Sequence, residues 1–207
     1  MRHFAIIAAA AAAFALAAPA AADPVIGRVA QDFRLTNSNG QEVQLSQFRG
    51  RTIVLEWNNP GCPYVQRHYD TGNMQRTQAE AERRGVVWLT INSGAEGRQG
   101  FMRGPEANAF VARVSSRADH YLLDHRGVVG RAYDAATTPQ MFVIDEGGVL
   151  RYNGAIDDAP HASAVETSSA TNYVVAALRS LEAGRAVDPA TSRPYGCSVK
   201  YADEAGN

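Results

Sequence analysis

The chain has 207 residues, with 20 Lys and Arg against 21 Asp and Glu, a formal net charge of −1 and a pI near 6.5. That balance provides neither a basic surface for nucleic acid nor a polyacidic tail, so any partner has to be argued from a site. Cysteine is scarce, at Cys62 and Cys197 alone.

Arg2 and His3 precede an apolar, alanine-rich run from Phe4 to Ala18, then Pro19 and Ala20-Ala21-Ala22 before Asp23. This order predicts a secretory signal peptide over residues 1–22, cleaved after Ala22. The run is shorter than the roughly 20 residues of a membrane span, and Pro19 ends it. No membrane span is therefore expected once the signal is removed, and the expected location is the periplasm. That compartment is oxidising, so the two cysteines can be joined or reactive. About 185 residues remain, enough for one domain with a sizeable core. The domain is expected over residues 23–190, with a tail over 191–207 that carries Cys197.

Phe33-Arg34-Leu35 and Val43-Gln44-Leu45 alternate around Asn37-Ser38-Asn39-Gly40 and predict an opening β-hairpin. Thr52 to Trp57 is almost wholly apolar and β-branched, the pattern of a strand buried on both faces. Asn58-Asn59-Pro60-Gly61 breaks it, and Cys62 to about Arg84 reads as helix, stopped by Gly85. Val86 to Ile91 is a second buried strand. Ser93 to Gly100 is glycine-rich but lacks the Gly-Lys-Ser/Thr ending of a phosphate loop, so it reads as a surface loop. A helix follows from Pro105 to about Val114, then a short strand at Tyr121-Leu122-Leu123 and a turn from Asp124 to Gly127. Met141 to Asp145 and Val149 to Tyr152 form a hairpin around Glu146-Gly147-Gly148. Tyr173 to Leu181 repeats apolar residues at helical spacing and stops at Gly184. Strands alternating with helices in this way predict an α/β fold, a mixed sheet covered on both faces.

The chemistry points to Cys62. Pro63 favours the first helical position, which places Cys62 at or beside the N-cap, facing unpaired backbone N–H groups. Those donors and the positive end of the helix favour thiolate, the reactive form. Glu56 sits inside the buried strand, where desolvation would raise its pKa and make it a candidate proton shuttle. His68, His120, His125 and His161 have no metal-ligand spacing, and Asp124, Asp145, Asp157 and Asp158 fall at turns and are assigned no chemistry. No cofactor and no metal is expected.

A buried strand ending at Trp57, Cys62-Pro63 opening a helix, and Thr137-Thr138-Pro139 before the hairpin resemble the thioredoxin superfamily. Within it, the chain is most similar to the redoxin branch that includes the alkyl hydroperoxide reductase and thiol-specific antioxidant proteins. The likeness runs from about Val25 to Leu181. It implies a thioredoxin-like fold, Cys62 as nucleophile and a cis bond at Pro139 packed beside the sulfur. It also implies that Thr138 can pair with an extended peptide, and it places Glu56 where thioredoxins carry a buried acid. The implied substrate is a hydroperoxide or a protein disulfide, with a periplasmic reductant restoring the thiol.

Two departures limit the resemblance. Val65 stands where thioredoxins have their second cysteine, so dithiol exchange within that motif is excluded. Asn59 and Leu55 replace the threonine or serine and the proline of a typical peroxide pocket, which leaves Arg67 or His68 as candidate cationic partners of the thiolate. Gln66 stands where copper-carrying relatives have a cysteine, which weakens a metal-binding role. Cys197 is open to three readings. It can resolve an oxidised Cys62. It can form a permanent disulfide closing about 135 residues, a staple of about 5 kcal/mol. Or it can stay free or bond another chain. A non-catalytic module that binds a partner peptide, with Cys62 and Cys197 a structural disulfide, is the alternative to an oxidoreductase.

Overall fold

A computed structural model describes residues 24–161 and 169–203. The segment 1–22, read from sequence as a signal peptide, lies outside the described residues.

The central strand β3 (Ile53–Trp57) organises the fold because all five of its residues are buried. Its side chains alternate between two apolar layers, with Ile53, Leu55 and Trp57 in one and Val54 in the other. It pairs in parallel with β4 (Val87–Asn92) and antiparallel with β7 (Gln140–Ile144), both also buried throughout. Beyond β4 lies the parallel β5 (His120–Leu123). The predicted opening hairpin, β1 (Arg34–Asn37) and β2 (Glu42–Gln44), continues that edge antiparallel. On the other side β8 (Leu150–Gly154) pairs with β7, completing a seven-stranded mixed sheet in the order β2-β1-β5-β4-β3-β7-β8.

The layer that holds Val54 packs against α1 (Pro63–Asp70), α2 (Asn73–Arg83), α3 (Gly104–Arg113) and α5 (Tyr173–Glu182). The other is closed by α4 (Val128–Ala132), by a 3₁₀ turn over Leu45–Phe48 and by Ala30 and Phe33. Each fully buried Leu, Ile or Phe of these layers, such as Leu55, Leu89, Ile91 or Phe142, contributes roughly 1.5–3 kcal/mol. Trp57 fills the second layer against Tyr133 and Phe142, with ring centroids 5.5 and 5.1 Å away.

Three details differ from the sequence expectation. The helix read from Cys62 to Arg84 is two helices, because Gly72 adopts φ +70° between them and no continuous helix passes through a left-handed residue. The five-residue α4 follows the predicted turn without a sequence signal of its own, being too short to show a helical period. The loop after β4 is only partly a surface loop, since Ser93, Gly94 and Ala95 are buried under the chain's last residues and Ala95 N–H donates to the Lys200 carbonyl at 2.8 Å. Among the described residues no helix is long and apolar enough to cross a membrane.

Candidate active site

Where β3 ends, Asn58 N–H donates to the Ile91 carbonyl at 2.8 Å, continuing the ladder one residue further. Asn59 then turns the chain, its Oδ1 accepting from Gly61 N–H at 2.8 Å and its carbonyl from Cys62 N–H at 3.0 Å. Cys62 has extended backbone angles as the N-cap of α1, and Pro63 opens the helix. The Cys62 side chain is fully buried and its thiol donates to the Thr138 carbonyl at 3.1 Å. The Thr138–Pro139 bond is cis, as the resemblance implied.

What covers the sulfur is the chain's own tail. A two-residue strand β6 (Thr137–Thr138) pairs antiparallel with β9 (Cys197–Ser198), with Thr138 opposite Cys197 and Thr137 opposite Ser198. Val199 N–H extends the pairing to the Ala136 carbonyl at 3.0 Å. Cys197 therefore lies against Cys62; both are free thiols, Cys62 buried and Cys197 half-buried. Burial opposes ionisation of Cys62. The Cys197 thiol, the amides of Val65 and Cys197 and the Thr138 hydroxyl outweigh it by favouring the anion, and they hold the Cys62 thiol below its ordinary pKa. Burial, with the hydrogen bond and charge of Cys62, pushes Cys197 up to about 11. Of the two thiols, Cys62 is the first to become thiolate.

Glu56 is fully buried, and burial raises its pKa against the hydrogen bonds it accepts. Asn58, Tyr69, Trp88 and Thr90 donate to its carboxyl at 2.8 to 3.2 Å. None of its bonds reaches either cysteine, so the geometry gives it the buried placement expected but no direct proton path to sulfur.

The contacts that Arg67 and His68 show lead away from the sulfur. Arg67 donates to the carbonyls of Pro160 and Ala159 and stacks over the rings of Tyr64 and Tyr195. Burial, then the charge of Arg67, depresses His68 to about 3, so it is neutral. Its partners agree with that state. They form a closed ring in which His68 Nε2–H donates to the Tyr195 hydroxyl, Tyr195 donates to Asp157, and the Asn73 amide donates to both Asp157 and His68 Nδ1. Asp157, read from sequence as a turn former, does accept from Ala159 N–H at 3.1 Å, but it is also buried, and burial raises its pKa.

The tail is fixed on both sides of Cys197. Tyr195 makes the contacts above; Tyr201 donates to the Ala135 carbonyl at 2.7 Å and lies under Arg131, 4.4 Å from its ring centroid. A Cβ at Gly127 or Gly130 would strike the Tyr201 ring, so both glycines form its seat. A cavity of about 620 Å³ opens beside this arrangement, lined by Tyr64, Thr137, Asp157, Tyr195 and Gly196 among others. The proline, two tyrosines and cysteine of Arg193 to Tyr201 mark the tail as rich in anchoring groups in the sequence alone, whereas Asp157 reads only as a turn residue and the convergence of these groups has no sequence signal.

A cysteine capping a helix opposite a cis-proline strand, on this sheet, defines a thioredoxin-fold protein. The chain belongs to the AhpC/TSA family, whose family model matches residues 26–153. Membership makes it a redoxin, an oxidoreductase working through cysteine thiols. It is 26% identical over 129 residues to the thiol-disulfide oxidoreductase ResA of Geobacillus kaustophilus, covering 61% of this chain and 67% of that one. An uncharacterized conserved protein from Geobacillus kaustophilus superposes with a TM-score of 0.76 at 25% identity, covering 88% of this chain and 95% of that one. A thiol:disulfide interchange protein assigned as DsbE from Chlorobium tepidum shares the fold, with a TM-score of 0.51 at 24% identity over 62% of this chain and 84% of that one. Cys197 lies beyond the family match.

Proposed function

We propose that this redoxin is an exported thiol-disulfide oxidoreductase in which Cys62 is the nucleophile and Cys197 the resolving cysteine. The observation that carries the reading is the β6–β9 pairing, which brings a thiolate-prone Cys62 and a proton-holding Cys197 together from opposite ends of the fold. The Cys62 thiolate attacks one sulfur of a partner's disulfide, forming a mixed disulfide and releasing the partner's other sulfur as thiolate. Cys197, deprotonated, then attacks Cys62, forming the Cys62–Cys197 disulfide and expelling the partner's second thiolate. The partner gains two electrons and this chain loses them, and an external dithiol returns it to the starting state. Thr138 and Pro139 serve the reaction by holding the sulfur and the strand edge, and Glu56 by ordering the interior behind them. Export to the periplasm rests on residues 1–22.

A hydroperoxide reduced at the same sulfur is the second reading, favoured by the family match. Here Cys62 becomes sulfenic acid as the peroxide leaves as alcohol or water, and Cys197 condenses with it, releasing water.

The test compares Cys62→Ser and Cys197→Ser during reduction of a protein disulfide, with hydrogen peroxide in a parallel arm. The expected result is no turnover without Cys62 and an accumulating mixed disulfide without Cys197. Consumption of peroxide alone moves the substrate to hydroperoxide. Unchanged turnover in Cys62→Ser, or thiols inert in both arms, overturns the enzyme and leaves a binding module. N-terminal sequencing of periplasmic protein checks the cleavage after Ala22.

A further inference from the structure

The proposed reaction sets two demands on one segment. Cys197 must lie against Cys62 to resolve it, yet in that arrangement Cys62 is fully buried and the strand edge of β6 is occupied by the chain itself. Nothing as large as a folded partner's disulfide can then reach the nucleophile. The tail has to leave β6 and return in each cycle, so some group must set how firmly it is held.

Tyr195 is two residues from Cys197 and has the contacts for that role. Its hydroxyl donates to Asp157 and accepts from His68 at 3.1 Å and from Arg67 at 3.4 Å, which uses its proton and both lone pairs. Its ring meets Tyr64, with centroids 5.8 Å apart, and receives Arg67 at 5.7 Å. Three of these partners, Tyr64, Arg67 and His68, belong to α1, the helix that Cys62 caps, so the contact ties the tail directly to the nucleophile's own element. Gly196 follows at φ +139°, and a Cβ there would run into the Thr138 carbonyl, so the chain passes from the anchor to β9 through the one residue type that fits.

We propose that Tyr195 is a positioning residue that latches β9 over Cys62, setting both the rate at which Cys197 resolves Cys62 and the access of an outside disulfide-bearing segment to the same strand edge. The inference rests on the proposed Cys62–Cys197 couple for its function. The latch itself is measured without turnover.

The experiment alkylates the fully reduced wild type, Tyr195→Phe and Gly196→Ala with N-ethylmaleimide, reading Cys62 by mass spectrometry of its peptide. Separately it follows closure of the internal disulfide after each protein is charged at Cys62 as a mixed disulfide with a small aromatic thiol. Tyr195→Phe keeps the ring and loses three hydrogen bonds, so Cys62 should be alkylated about tenfold faster and internal closure should slow by a similar factor. Gly196→Ala, which leaves the hydroxyl network intact and forces the strand off its edge, should shift both rates the same way. Opposite movement of the two rates identifies a latch, whatever the unfolding midpoint. If Tyr195→Phe alkylates at the wild-type rate while Gly196→Ala is fast, the hold lies in the strand and the proposal fails. If both rates rise together with a lowered midpoint, Tyr195 is merely structural and the proposal also fails. A protein with no exchange activity still reports the latch through alkylation, so failure of the redox reading is seen separately.

Discussion

Cys62 was legible because a proline after a cysteine at a strand-to-helix junction states its own geometry, and the structure places it as the N-cap. His68 was not. On the sequence it is a helix residue near the sulfur and a candidate cation, whereas its state is decided by Tyr195, 127 positions away, and by Asp157, 89 positions on. Its burial has a consequence for acid stability. The unfolded chain binds a proton at His68 below about pH 6.5, while the folded chain resists it until about pH 3. Stability is therefore fully present above pH 6.5 and drains as pH falls through that window, by up to about 1.4 kcal/mol per pH unit from this residue. His68→Gln, which cannot titrate, should show a shallower loss between pH 6.5 and 4 in urea unfolding; equal slopes would show that His68 is charged in the fold. Glu56 shows the converse case, since its place in an apolar strand announced its burial, but only the structure shows that Tyr69, Trp88 and Thr90 surround it.

At the level of elements, periodicity served wherever a run was long enough to have a period. β3, β4 and β7 stand where their patterns put them, because continuous apolarity over five or six residues has few other solutions, and the opening hairpin does so because short alternations flank a strong turn. β6 and β9 have two residues each, and no pattern can be read in two residues. Their pairing comes from tertiary contacts: the seat for Tyr201, the hold on Tyr195, and the Ala95 to Lys200 bond. The split between α1 and α2 was missed for another reason, since a lone glycine within a helical run is usually tolerated. Here Gly72 is left-handed with only the flexible end of Arg76 near its missing Cβ, so the cost of a side chain is conformational rather than steric. Gly72→Ala should lower stability by about 1 kcal/mol and the thermal midpoint by about 3 °C. An unchanged midpoint would mean that α1 and α2 can join without penalty.

Across the whole molecule, the seven-stranded sheet is complete by residue 154, close to where the family match ends at 153. The remainder adds α5 to one layer and carries the chain back across the top of the sheet to the cysteine. Sequence could say that the tail held anchoring groups; it could not say that they converge on Cys62, because convergence depends on the whole sheet being built first. The unequal depth of the two sulfurs gives the proposed couple a direction. Once the disulfide has formed, the sulfur nearer solvent is that of Cys197, and a thiol attacking there expels Cys62, the partner with the lower pKa and so the better leaving group. Electrons are thus expected to enter through Cys197 and leave through Cys62. Reacting the oxidised protein with a slight excess of a small thiol, quenching with acid and mapping the adducts should find the mixed disulfide on Cys197; adducts on Cys62 would reverse the direction. Two cysteines joined in one bond would then face different partners, one reached by the reductant from outside and the other only when the tail swings away.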